Sequence, residues 1–186
     1  MGEWEKRGLQ LRPDHLWRAR PGSKIFVADR GAVRLDFPET WVVIPTAEGS
    51  IKFHDKQPPD DDCTLQLTVI HLSPDVDWTG LPLAPMLEDV IGKDSRNIIA
   101  RGEIMGFMRS GFELAWTEVR FIHPSEHREA HSRACLARKE TVQILLTFDF
   151  WASDVPQLTL VWDEVLRSLR LAAYIGDPTL GDRGHG

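Results

Sequence analysis

The sequence predicts an α+β fold: a single antiparallel sheet of about six to seven strands with helices packed on it, the closing strand followed by a C-terminal amphipathic helix. Two patterns near the end of the chain carry this expectation. In Thr141–Trp151, the residues Val142, Ile144, Leu146, Phe148 and Phe150 fall at every second position, so all five share one face of a strand. Directly afterwards Leu158, Val161, Trp162, Val165, Leu166 and Leu169 recur at steps of three and four, which makes one stripe of a helix. Asp154 stands where a cap is needed, with Gln157 as its capping-box partner and Pro156 in the tolerant first turn. Elsewhere strand patterns are interrupted by one more helical pattern, which excludes the regular alternation of a doubly wound parallel sheet.

The remaining elements follow in order. Residues 1–23 form a basic, Trp-containing leader, in which Pro13 and Pro21 break regular structure. Ile25–Ala28 is a first short strand. Val33, Leu35 and Phe37 alternate with Ala32, Arg34 and Asp36 as a half-buried one. Pro38–Thr40 turns the chain into strands at Trp41–Ile44 and Ile51–His54. Asp55–Asp62 holds two prolines and three successive acids and reads as a solvated loop. Cys63–Leu72 is the next strand, with Cys63, Leu65, Leu67, Val69 and His71 on its core side. Leu83, Leu87, Val90 and Ile91 step at helical spacing, giving a helix over Pro82–Lys93. Strand patterns resume at Ile98–Arg109, Phe112–His123, His131–Arg138 and Thr141–Trp151, with turns at Gly111 and at Lys139–Glu140. Along Phe112–His123 the apolar phase switches, because Phe112, Leu114 and Trp116 oppose Val119 and Phe121; burial on both faces is favoured over a bulge. The domain is expected over 24–171, and 172–186 reads as a flexible, Gly-rich tail.

Composition narrows the function classes. A net charge of −6 argues against a general nucleic-acid binder, which needs a strongly basic face. No apolar run is long enough to span a bilayer, and the N-terminal residues contain no secretory apolar stretch, so a cytoplasmic protein is expected. Cys63 and Cys135 are too few and too far apart for a disulfide framework or a metal spacing, and read as buried thiols.

The order of elements resembles the PsbP-like superfamily, which includes photosystem II extrinsic proteins, a Ran-binding nuclear protein and effector-associated chaperones of type VI secretion. The resemblance rests on RLDFPETWVV (Arg34–Val43), on the middle helix, and on the closing strand and helix QILLTFDFWASDVPQLTLVWDEVLRSLR, and it covers about Lys24 to Leu171. It implies a non-enzymatic partner-binding module. No catalytic residue set is shared across the superfamily, so none is carried over.

Candidate chemistry is sparse. His123, His127 and His131 are spaced by four in HPSEHREAH, and on one helix face they could approach a zinc or iron ion. Pro124 and the flanking strands instead favour a loop, along which the imidazoles would be strung out. Asp60–Asp62 lacks the alternating ligand spacing of a calcium loop. Ser73 and Ser110 lack the flanking glycines of a nucleophile elbow. Gly102 and Gly106 lie in a strand pattern, where glycine marks a bulge or a close backbone approach. Asp149 interrupts an apolar strand, and is expected to face solvent with Gln143 and Thr147 rather than to pair with Arg133. No cofactor fingerprint is present and no cofactor is expected.

Seven tryptophans complete the inventory. Trp41, Trp116 and Trp162 fall on core faces. Trp4, Trp17, Trp78 and Trp151 do not, and they are the candidates for anchoring a partner, unless the leader folds back and buries them within the chain. The expected function is a protein-binding, accessory or chaperone-like module, with homo-oligomerisation open. The alternatives are a small metal-dependent hydrolase using the three histidines, and a small-ligand binder with a cleft between sheet and helices.

Overall fold

Hairpin turns fall where the sequence places them and set most of the architecture. The structure is a computed structural model that describes residues 9–109 and 111–181, so Trp4 and Ser110 lie outside the described residues. Its strands are β1 (Ser23–Ala28), β2 (Val33–Pro38), β3 (Val42–Pro45), β4 (Ile51–His54), β5 (Cys63–His71), β6 (Asn97–Arg101), β7 (Met105–Arg109), β8 (Phe112–Ile122), β9 (Glu129–Lys139), β10 (Val142–Trp151) and β11 (Arg170–Leu171). The helices are α1 (Leu83–Gly92) and α2 (Val155–Ser168). Glu140 takes a left-handed φ of 54° where β9 turns into β10, and Gly111 one of 78° where β7 turns into β8.

An α+β fold with antiparallel pairing results, but the expected single sheet is corrected to two. One sheet has eight strands in the order β3-β4-β5-β10-β9-β8-β6, with β7 also paired to β8. The other has three, in the order β1-β2-β11. One pairing accounts for the second sheet. The chain returning from α2 pairs Arg170 and Leu171 with Arg34 and Val33, which draws β1 and β2 into a layer of their own. The expected Ile98–Arg109 strand also breaks in two at Gly102, whose N–H donates to the Glu118 carbonyl at 2.8 Å. A Cβ at Gly102 would lie 3.1 Å from that same carbonyl oxygen, the close backbone approach that the glycine marked.

The small sheet and α2 cover one face of the large sheet. There Ile144, Leu146 and Phe148 of β10 have no exposed surface, and they pack with Leu35, Phe53 and Trp162 in the main core. Trp162 stacks on Phe148 and meets Trp116 edge-on, with ring centroids 6.1 and 5.8 Å apart. The opposite face is covered in part by α1, where Leu83, Leu87 and Ile91 lie on Ala115, Ala134 and Leu136. The apolar phase switch in β8 is therefore two-sided burial. Its register with β9 runs without a shift, and the irregularity lies in β6, between Ile98 and Ala100.

Two local expectations are corrected. Asp154 makes no side-chain bond to the α2 backbone; a 3-10 turn over Ala152–Asp154 precedes the helix, and Gln157 Nε2 donates to Asp154 Oδ1 at 3.3 Å. His71, expected on the core side of β5, is exposed where the strand runs out of cover and is hydrogen-bonded to Asp29 at 2.9 Å. His54 at the end of β4 pairs with Asp61, at 2.8 Å. The leader meets the segment beyond β11, with Arg12 and Leu16 N–H donating to the carbonyls of Thr179 (3.1 Å) and Leu180 (2.6 Å).

Gly31 is where that C-terminal segment crosses the small sheet. Its φ is 98°, and an added Cβ would lie 2.4 Å from the Ala173 carbonyl oxygen. Gly31→Ala is expected to cost about 2 kcal/mol or more, because backbone strain and a backbone clash add. Gly49→Ala, with φ 86° and nothing within 4 Å, keeps the strain alone and should cost about 1 kcal/mol. Urea unfolding midpoints at unchanged slope check both.

Candidate functional site

The three histidines are not brought to one place. His123 opens a turn, its Nδ1 accepting from the Glu126 N–H at 3.2 Å and its ring meeting Trp151 edge-on at 5.2 Å. His127 sits at the tip of that turn with φ 51°. His131 is back in the sheet, stacked on Phe150 at 5.6 Å and bonded through Nδ1 to Glu118 at 2.8 Å. Among the described residues no group of three or more His, Cys, Asp or Glu side chains converges as a metal site requires. Two of the three acids after Pro59 are engaged separately, Asp61 with His54 and Thr64, and Asp62 with Lys56.

Glu118 anchors a charged network at the margin of the main core. It accepts from Arg133 Nε at 2.6 Å as well as from His131, and Arg133 Nη2 donates to Thr159 of α2 at 2.9 Å. Register explains the grouping, since Glu118 stands across the ladder from Arg133 and both face α2. Burial pushes the Glu118 carboxyl up, but the bonds from Arg133 and His131 outweigh it and hold the group below its ordinary 4.5. The network stitches β8 and β9 to α2 and exposes no reactive group.

Two concavities flank the large sheet. The first, about 400 Å³, lies on the face carrying α1 and is lined by Lys52, Thr64, Gln66, Arg96, Asp149 and Trp151 among others. Asp149 faces outward here, accepting from Ser132 Oγ and from Arg96 at 3.1 Å, while Arg96 also grips Asp94 and lies 4.0 Å over the Phe121 ring. The charges of Arg96 and Asp149 thus neutralise each other. Cys63 borders this cleft, but burial drives its thiol pKa far up, and that of Cys135 to about 12, so neither is a thiolate nucleophile.

The second concavity, about 410 Å³, is lined by Trp78, Met108, Glu113 and Arg138 among others. It adjoins β7, whose outer side has no strand partner among the described residues. On β7 Met105, Phe107 and Met108 are 38%, 51% and 73% exposed, and a Cβ at Gly106 would meet nothing within 4 Å. Register puts Met105 and Phe107 on the α2 side of the sheet, and Met108 on the other. A free strand edge with apolar side chains on both faces leaves its backbone N–H and C=O groups open to pairing.

A sequence model of the Alr1449 family matches residues 24–175. The chain belongs to the Alr1449 family. It is 48% identical over 180 residues to an uncharacterized protein, alr1449, of Nostoc sp., covering 96% of this chain and 93% of that one. Its fold is similar to the solution structure of cyanobacterial PsbP from Synechocystis sp., with a TM-score of 0.58 at 13% identity, over 82% of this chain and 94% of that one. A Bacteroides thetaiotaomicron protein matches at TM-score 0.51 and 14% identity, over 81% of this chain and 48% of its own length. The PsbP-like resemblance read from the Phe-Pro turn, middle helix and closing strand is thus supported at the level of fold.

Among the described residues, the aromatic candidates Trp17, Trp78 and Trp151 of this Alr1449-family chain find partners within it. Trp17 Nε1 donates to the Pro178 carbonyl and Trp78 Nε1 to that of Ser73, each at 2.8 Å. Trp151 lies under the Arg128 guanidinium at 4.1 Å. Of the three, Trp78 borders the β7 concavity. Sequence reasoning missed Arg96, and it missed Met105, Phe107 and Met108 as a surface. The only signal was Met105-Gly-Phe-Met108, where apolar residues do not alternate with polar ones, and that pattern equally describes a strand buried on both faces.

Glu118 yields a pH prediction. Its folded pKa is depressed, so the unfolded chain binds more protons as pH falls; its stabilisation is full above about 4.5 and is lost as pH drops through the folded pKa. Glu118→Gln should cost about 2 kcal/mol at neutral pH, by leaving Arg133 short of its charged partner, and should flatten the acid limb of stability against pH. Urea titrations between pH 3 and 7 read both effects.

Proposed function

We propose that this protein is a binding module of accessory or chaperone type, which takes an extended segment of another protein as an added strand on β7. The observation that carries the reading is the apolar, unpaired β7 edge. An incoming strand would satisfy its backbone N–H and C=O groups, while Phe107 and Met105 contact it on one face and Met108 on the other. Methionine suits that work, because its unbranched, polarisable side chain adapts to varied partners. Trp78, beside Met108 in the adjoining concavity, offers an aromatic wall for one partner side chain. A segment seated this way needs no catalytic group on the module.

Competing readings have less behind them. The metal-dependent hydrolase needs His123, His127 and His131 together, and they turn to three different surroundings. A small-ligand site in the Arg96–Asp149 cleft would have to break an existing ion pair. Self-association through β7 is a special case of strand addition and belongs to the same proposal. A cytoplasmic setting fits two buried, unpaired thiols.

Phe107→Lys with Met108→Lys tests the reading. Both side chains are exposed, so stability should change by no more than about 0.5 kcal/mol. A photo-cross-linker at Met105 in the native cell should trap one dominant protein, or a second copy of this chain, and the double variant should lose it. Amide exchange should slow along β7 when the trapped partner is added back. Unchanged exchange there, with the cross-link persisting in the double variant, would sink the proposal.

A further inference from the structure

Six arginines gather where α2 ends against the small sheet. A cavity of about 290 Å³ there is lined by Arg18, Arg20, Arg34, Arg167, Arg170 and Asp36. Arg109 reaches the same helix end, donating to the carbonyls of Leu166 (2.9 Å) and Arg167. Arg170 donates to the carbonyls of Arg167 and Leu169, at 3.2 and 2.9 Å, and Arg34 to that of Ser168 at 3.3 Å. Part of the cluster is therefore structural: these guanidiniums satisfy the open carbonyls at the C-terminus of α2 and complement its dipole.

Capping does not account for the whole. Among the described residues two carboxylates face the six guanidiniums. Glu164 takes Arg20 and Arg167, and Asp36 lies 3.2 Å from Arg34. A helix C-terminus adds only about half a negative charge, and it is shared. Arg170 stands directly across the ladder from Arg34, a like-charged pairing that destabilises a sheet unless something negative lies over it. Arg18 reaches only the carbonyls of His15 and Trp17 among the described residues. Burial, together with the charges of Arg109, Arg34 and Arg167, makes Arg170 a weaker base than a free guanidinium. All this positive charge sits in a chain whose net charge is −6, so it is a local concentration and not a general property of the surface.

We propose that the cavity between α2 and the small sheet binds a phosphate group carrying at least two negative charges, held by Arg18, Arg34 and Arg170. Planar guanidinium forks meet phosphate oxygens in pairs of parallel hydrogen bonds, and three forks around one small cavity suit a tetrahedral anion better than a single carboxylate. Arg18 comes from the leader, so a bound anion would tie the leader to β2 and β11. The site is separate from the β7 edge and does not depend on strand addition there.

Pyrophosphate is the probe, applied to the full chain at low ionic strength. The melting temperature should rise with its concentration, as for any ligand that binds only the folded state. Arg18→Gln should leave the ligand-free melting temperature unchanged and weaken binding about tenfold, measured by calorimetry. Arg170→Gln should weaken it at least as much, whatever it does to stability. Flotation with vesicles containing phosphatidic acid, a phosphomonoester lipid, separates the sources: binding to vesicles without binding to pyrophosphate assigns the phosphate to a lipid headgroup, and the reverse assigns it to a free ligand. No response to either probe, or wild-type affinity in both variants, would overturn the site.

Discussion

Burial of Ile144, Leu146 and Phe148 depends on β10 being paired on both sides and covered from above, and each of these conditions recruits a different part of the chain. β5 and β9 supply the ladders, and α2, which follows β10 after one short turn, supplies Trp162 as the cover. Each of these side chains contributes about 1.5–3 kcal/mol by leaving water. The small sheet is a consequence of the same requirement: β2 packs against α2, and Leu35 and Phe37 close the core that the helix alone leaves open.

Strands at the centre of such a sheet have no backbone to offer a partner, so binding capacity is displaced to the rim. The two rims differ. β3 is four residues long and ends at Pro45, which cannot extend a ladder. On the other side β6 and β7 share β8 end to end, and β7 carries methionine and phenylalanine where lysine or proline would ordinarily guard an edge. The charged clusters are arranged differently again. Glu118, Arg133 and His131 neutralise one another within the fold, whereas the arginines at the end of α2 keep a surplus.

The fold was legible because its central elements are periodic. The β10 alternation, the α2 stripe and the turns at Gly111 and Glu140 each state a local structure that the whole fold then uses. The count and grouping of sheets was not legible, because it depends on Arg170 and Leu171, a two-residue strand with no pattern of its own, pairing with residues far back in the chain. The sites were less legible for a related reason. Whether Met108 lies in a core or on a rim depends on a missing neighbour, and nothing in Met105–Arg109 encodes that absence. Arg34, Arg109 and Arg170 are likewise far apart in sequence, and only the return of the chain after α2 places them together.

The ladder between β5 and β10 ties the outermost residues of this core to distant points on the chain: Val142 pairs with His71, 71 positions earlier, and Phe150 with Cys63, 87 positions earlier. Everything from α1 to β9 is thus inserted between two adjacent central strands. The entropy of closing so long a loop grows only with the logarithm of its length, by about 0.6 kcal/mol per doubling. The inserted segment can therefore lengthen or shorten with little thermodynamic effect, while its own hairpins close over far shorter separations than the ladder does. Contact-order reasoning places the β5–β10 ladder among the slower pairings of this topology.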